Sequence, residues 1–441
     1  MIKVMRIAAI VLMAHAILSA QQMSRFDVHM ASGKAAIQQS RYAEADRQLR
    51  EAVADAAALD PDDPATAARN AEAMESLCDL DVLVGKYDEA ISLEEKAVAD
   101  LEKSLGPDSH DLVPHLIRLA GTYRAGNKTT FAEPVLQRVL ALDIRALGPE
   151  DEKVCADYDS LGGAYMEMNT TAEALKAYRK SLDARVSRLG PDHLDVATSY
   201  TNIAVAEDKA SMARPARQDY EKALAISEKK LGDESYSLTG LLDRIGLLLR
   251  RQKDFGEAEP VLQRSLAIRE KTLGARHSDV ALALDNLALT YFYDSKYPEA
   301  EPLFTRSLQI WLATQGPYSP LVAQALDNLG SLYSAQQKYD EAEPLFKRAL
   351  SIREKQDVES LSNLALVYQA KNDPKNAELY FQRALLIGDK ALGAEHLEIT
   401  ETLAEYETFL RATGRIAEAR KIAARIHDAK ERDSKEHPAN N

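Results

Sequence analysis

Gly106, Gly148, Gly190, Gly232, Gly274 and Gly316 stand 42 residues apart, through five intervals without a slip. A register held that long means one structural unit copied in tandem, and no other feature constrains the fold as much. Most copies read alike at the junction: Leu105-Gly106-Pro107-Asp108, Leu147-Gly148-Pro149-Glu150, Leu189-Gly190-Pro191-Asp192 and Leu273-Gly274-Ala275-Arg276. Gly after an apolar run is a helix stop, because it takes the left-handed C′ position, and Pro beyond it cannot continue the helix. Asp108, Asp192 and Ser278 then read as caps of the next helix.

Each unit holds two helices. In the best-formed copy, Val280, Leu284, Leu287, Ala288 and Tyr291 carry the i, i+3, i+4 spacing of an amphipathic helix. After a short turn, Ala300, Leu303, Phe304, Ser307, Leu308 and Ile310 make a matching stripe on a second helix. Pro134, Pro260, Pro302 and Pro344 recur in that second segment, and the reading places them near its first turn, where backbone N–H groups lack an intrahelical acceptor. Neither helix buries its stripe alone, so successive pairs stack.

The register extends beyond the glycines. Tyr87, Thr129, Thr171, Ala213, Phe255, Tyr297 and Tyr339 repeat at 42 before the second helix; Pro374 follows at 35 and Ile416 at 42. Tyr42 precedes Tyr87 by 45 residues. That gives ten helix pairs over residues 26–427, and an all-α fold. The charged tail over 428–441 is expected to be disordered.

A helical period near 40 fits several repeat types, and the small residues discriminate among them. First helices carry Leu284/Leu287/Ala288/Tyr291, Leu326/Leu329/Gly330/Tyr333 and Leu361/Leu364/Ala365/Tyr368; second helices carry Tyr297/Ala300/Phe304/Ser307 and Tyr339/Ala342/Phe346/Ala349. This pattern resembles the tetratricopeptide repeat, in the 42-residue variant typical of kinesin light chains and bacterial relatives. The resemblance implies a right-handed superhelical solenoid whose first helices line a concave groove. It implies binding of a protein or peptide segment rather than catalysis.

The formal charge of −14 argues against a nucleic-acid groove, which needs a basic stripe. Lys3 and Arg6 precede an apolar run, Ile7 to Ala20, that ends in small residues before Gln21-Gln22. This reads as a secretory leader over 1–20, of a chain exported to a periplasm or secreted; an uncleaved N-terminus would instead mean a cytosolic adaptor. No stable membrane span is expected. Cys78 and Cys155 fall in units that are not adjacent, too far apart for a disulfide, and read as small buried hydrophobes.

Chemistry-bearing motifs are few. His110, His193, His277 and His396 share one inter-unit loop but lie whole units apart, so they do not assemble a metal site. Phosphate-loop, nucleophile-elbow and Cys-x-x-Cys patterns do not occur, so neither an enzyme nor a cofactor is expected. A basic residue recurs at one second-helix position, from Lys96 through Arg138, Lys180, Lys222, Arg264, Arg306, Arg348 and Arg383 to Arg425. Recurrence in every unit favours a solvated edge or ion pairs between units over a binding ladder.

The candidate site lies on the first helices. One position holds Asn202, Arg244, Asn286, Asn328 and Asn363. In the resembled family this position faces the groove, where an amide satisfies a peptide unit of any sequence; the alternative is a bond to a neighbouring helix or water. Arg250 and Arg251, with Lys253 nearby, make a positive spot that suits an acidic ligand, unless Asp208, Asp243 or Asp285 neutralises it. Beside it Leu282, Leu289, Phe292 and Tyr293 offer an apolar surface. The reading is a scaffold that binds a protein segment around residues 202–363; a structural, self-associating scaffold is the alternative.

Overall fold

The structure, a computed structural model, describes residues 25–59, 64–353, 358–392 and 399–436. Among these are twenty α-helices and two short 3-10 turns, at His110–Leu112 and Tyr236–Leu238. The leader-like segment 1–20 and His396 lie outside the described residues.

The chain divides into two compact units, residues 1–226 and 227–441. The first begins with α1 (25–38) and α2 (Tyr42–Ala57), followed by α3 (Pro64–Leu83) and α4 (Tyr87–Leu105). It continues with α5 (Val113–Ala125), α6 (Thr129–Leu147), α7 (Glu152–Glu167), α8 (Thr171–Leu189) and α9 (Leu194–Lys209). The boundary falls inside α10 (Ala213–Leu231). The second unit holds α11 (Thr239–Arg251) with α12 (Phe255–Leu273), α13 (Ser278–Tyr293) with α14 (Tyr297–Gln315), and α15 (Pro320–Ala335) with α16 (Tyr339–Ile352). It ends with α17 (Val358–Ala370), α18 (Pro374–Leu392), α19 (Thr400–Ala412) and α20 (Ile416–Glu436). Within each unit a first helix packs on its second helix, and that second helix packs on the next first helix.

The small positions do what the pattern requires. A Cβ on Gly330 would lie 2.8 Å from the ring of Phe346, so this ring sits closer to its first helix than an alanine would allow without a shift. Phe304, Phe346 and Phe381 are fully buried between their helices. Stacking is also tied by polar contacts. Tyr165 donates to Glu133, Tyr291 to Glu259 and Tyr333 to Glu301, each joining a first helix to the preceding second helix.

Four local expectations are corrected. The stop glycines do take positive φ, but Gly106 pairs φ 84° with ψ 151°, an extended conformation open essentially to Gly alone rather than the left-handed helical one. Its N–H still closes the helix on the Glu102 carbonyl. The caps are shifted by one residue from Asp108, Asp192 and Ser278: Ser109 caps the turn before α5, and His193 and His277 cap α9 and α13 through Nδ1. Those histidines therefore serve the backbone. Pro134, Pro260, Pro302 and Pro344 sit beyond the first turn, inside their helices. The helices tolerate them because the residues whose carbonyls lose a donor, Thr130, Gly256, Pro298 and Asp340, are exposed to water. Finally, the expected tail continues α20 from Asp428 to Glu436, where Ala429 is buried and the residues are mostly good helix formers; residues 437–441 are not described.

Candidate partner-binding site

In the second unit, the last turn of α11 and the turn to α12 concentrate positive charge. Arg250, Arg251 and Lys253 line a pocket of about 420 Å³ with Phe255, which opens α12, and Tyr293, which closes α13. Lys253 holds φ 62° at a turn position where other pairs use Gly, Asn, Ser or, at Gln337, another long side chain. Tyr293 is 59% exposed and offers its ring to the Arg250 guanidinium at 5.8 Å.

Arg250 is half-buried, and among the described residues it meets no carboxylate. Its one hydrogen bond is long, 3.4 Å from Nη1 to the Asn286 carbonyl. Burial, with the like charge of Arg251 adding to it, holds the guanidinium below its usual range, against the opposing effect of Tyr293. Two of the acids that were candidate counter-ions are engaged elsewhere. Asp243 binds Arg269 Nη2 at 2.7 Å, and Asp285 accepts from Trp311 Nε1 at 3.0 Å.

The remaining candidates divide. Arg244 is exposed on α11, and Asn286, Asn328 and Asn363 are half-buried on α13, α15 and α17. Asn328 Oδ1 accepts from Gln324 one turn earlier, so its amide is partly spent on its own helix. Among the described residues neither the Asn286 nor the Asn363 amide is hydrogen-bonded to another side chain. Asn202 is half-buried on α9, in the first unit. Leu289 and Phe292 are not the open surface expected: both are half-buried and pack against the core around Leu287 and Tyr291. Leu282 and Tyr293 are the exposed apolar residues there. Phe255, read from the sequence only as a turn marker, proves to be a pocket wall; its aromatic character was the available signal.

The recurring second-helix cations are a separate matter. Arg138 pairs with Glu102, Arg264 with Glu228, Arg306 with Glu270 and Arg425 with Asp389, each on the preceding second helix. Arg138, Arg264 and Arg306 also donate to the carbonyls of Pro107, Asp233 and Ala275. Lys180 and Lys222 lie over the rings of Tyr158 and Tyr200. This ladder joins neighbouring pairs.

Other reactive groups are held quiet. Cys78 and Cys155 are free and buried, and burial pushes the Cys78 thiol up to about 12. Among the described residues no group of three His, Cys, Asp or Glu side chains is placed to hold a metal ion, and no helix is long and apolar enough to cross a membrane.

Stacked helix pairs with small-residue contacts and a charged pocket at the turn between two helices define a helical repeat scaffold of the kind used for protein–protein interaction. One tetratricopeptide repeat family model matches residues 152–229, 237–304 and 279–355, and a second matches 83–111 and 358–398. Together they cover more than half of the sequence, and the chain belongs to the tetratricopeptide repeat family.

Similar solved structures include the following. The apo form of RapI superposes with a TM-score of 0.51 at 15% identity, over 64% of this chain and 99% of that one. A putative kinesin light chain of Podosopora anserina, with nearly identical TPR-like repeats, is 23% identical over 47% of this chain and 97% of its own, with a TM-score of 0.43. BtubC (BKLC) from P. vanneervenii is 23% identical over 51% of this chain and 91% of its own, also at 0.43. At these identities the likeness concerns the fold alone. Comparison with curated proteins gives no match.

Proposed function

We propose that this chain is a non-enzymatic scaffold that holds an acidic protein segment on the first-helix face of its second unit. The observation that carries the reading is Arg250, a half-buried cation with no carboxylate among the described residues, at the wall of a pocket shared with Lys253 and Tyr293. A carboxylate from a partner supplies the missing charge, and the Tyr293 and Phe255 rings accept an apolar neighbour of that carboxylate. The open amides of Asn286 and Asn363 are suited to the ligand's backbone.

A peptide array probed with the full chain tests this. Bound peptides should be rich in Asp and Glu beside apolar residues, and binding should weaken as salt rises. Arg250→Glu with Arg251→Glu should lower affinity at least roughly tenfold while leaving the thermal melt unchanged. Unaltered binding by the charge-reversed chain sinks the proposal.

A self-associating scaffold is the second reading, favoured by Leu379 and Leu386, which are exposed on one face of α18. Concentration-dependent mass in sedimentation, with no peptide selected, would support it. Export to a periplasm or beyond rests on the leader-like residues 1–20. A mature N-terminus after Ala16 or Ala20 is the expected result of sequencing, and an intact Met1 would favour a cytosolic adaptor.

A further inference from the structure

The repeat supplies its own control for one buried contact in the first unit. At a fixed position in the second helix, α8, α12 and α16 or its end carry Arg185, Arg269 and Arg353. Each pairs with an Asp on its own first helix: Arg185 with Asp159, Arg269 with Asp243, Arg353 with Asp327. Arg185 and Arg353 also reach a Ser on the next first helix, Ser199 at 2.7 Å and Ser360 at 3.0 Å.

In α6 the same position is Asp143, and the matching residue of the next helix, α7, is Asp157. The own-helix acid is gone as well, since Ile117 stands where the other pairs have Asp. The cation is thus replaced by a second carboxyl group. Asp143 is 1% exposed and Asp157 6% exposed, and the two groups face each other. Asp143 Oδ1 lies 2.6 Å from His110 Nε2, on the turn before α5. Asp157 Oδ2 has no hydrogen-bond partner among the described residues. The charged groups facing the pair are His110 and, from α7 itself, Lys153.

We infer that Asp143 and Asp157 form a pH-sensitive latch between the third and fourth helix pairs, closed when the two carboxyl groups share a proton and loosened when both ionise. Two buried carboxylates in contact repel and lack water to screen them, so one proton between them is the stable state. A proton on Asp157 lets it donate toward Asp143, while His110 holds the other Asp143 oxygen.

Burial, followed by the charge of Asp143, pushes the Asp157 carboxyl up to about 7, with Lys153 opposing. The folded state therefore keeps a proton that the unfolded chain has already released. The latch's contribution is present in mild acid and is lost as pH rises from the ordinary carboxylate range through about 7.

Hydrogen exchange of the full chain, read as protection factors at pH 5.5 and 8.5, tests this where it acts. Protection in α6 and α7 should fall roughly thirtyfold between the two pH values. Asp157→Asn, which donates without titrating, should hold high protection at both. Should that variant fail to fold, Asp143→Arg with Ile117→Asp and Asp157→Ser installs the Arg185, Asp159 and Ser199 arrangement of the next unit and should also remove the pH dependence. The inference is overturned by flat wild-type protection in these helices, or by a fall that persists in either folded variant. The readout is local because Asp285 and Asp327 in the second unit also titrate high, each near 6.

Discussion

Arg269 and Arg250 lie on consecutive helices of the same unit, both withdrawn from water, and they meet opposite surroundings. Arg269 takes two oxygens of Asp243, at 3.0 and 2.7 Å, and the Ser265 hydroxyl at 2.6 Å. Arg250 has one long bond to a backbone carbonyl and the face of Tyr293. The difference follows the repeat. Arg269 recurs as Arg185 and Arg353, and each copy comes with its own carboxylate. At the Arg250 position neighbouring units have Asp208 and Phe292; three units earlier it is Arg124, which meets Glu167, whereas Arg250 meets the ring of Tyr293 where that glutamate would stand. What differs is the facing residue: where the repeat supplies a carboxylate opposite the cation the charge is neutralised, and opposite Arg250 it supplies a tyrosine.

The comparison breaks most sharply at the paired residue. Arg269→Met strands the buried Asp243 carboxylate and should cost the second unit about 3 kcal/mol in urea denaturation, of which Asp243→Leu in the same chain should restore most. A loss below ~1 kcal/mol for the single change would mean the pair matters no more than a surface contact.

A sharper version uses Asp285, which has Trp311 where its counterparts have arginine. Burial raises its carboxyl to about 6, and its Oδ1 is without a partner. The folded state then holds the proton more tightly than the unfolded chain, so this group's contribution falls as pH rises between about 4 and about 6. Asp285→Asn should flatten that slope and gain about 1–2 kcal/mol at pH 7 relative to wild type, with little change at pH 4. An unchanged slope would assign the titration elsewhere.

The smallest effects are expected at exposed or unpaired cations. Arg306→Gln breaks a half-exposed pair with Glu270 and should cost about 0.5 kcal/mol. Arg250→Ala should change stability by no more than about 0.5 kcal/mol, because no buried carboxylate is stranded, although it weakens ligand binding. A large loss from Arg250→Ala would make it structural and remove the main support for the pocket.

Much of this was legible beforehand because it rests on short-range periodicity. The pairing of Leu326, Leu329 and Gly330 with Phe346, the stacking of ten pairs and the stop at each glycine all follow from spacing within one unit. Failures came where a one-residue shift or a rotation decides the outcome. His277 rather than Ser278 caps α13, because the first turn starts one residue earlier than polarity alone suggests. Phe292 packs inward while its neighbour Tyr293 faces out, a distinction that two adjacent aromatics do not reveal in sequence. At the pocket, the cluster of Arg250, Arg251 and Lys253 was visible as a charge run, but the role of Phe255 was not.

The sequence by itself determined the repeated helix pair, the register and the number of units, because helix periodicity and glycine stops act over a few residues. Only the tertiary structure decided which charges are satisfied. Asp243 meets Arg269 and Glu270 meets Arg306 across distances of 26 and 36 residues, set by how helices lie against one another. Arginines alike in sequence therefore divide by what faces them: Arg269 and Arg306 meet carboxylates, and Arg250 meets the face of Tyr293.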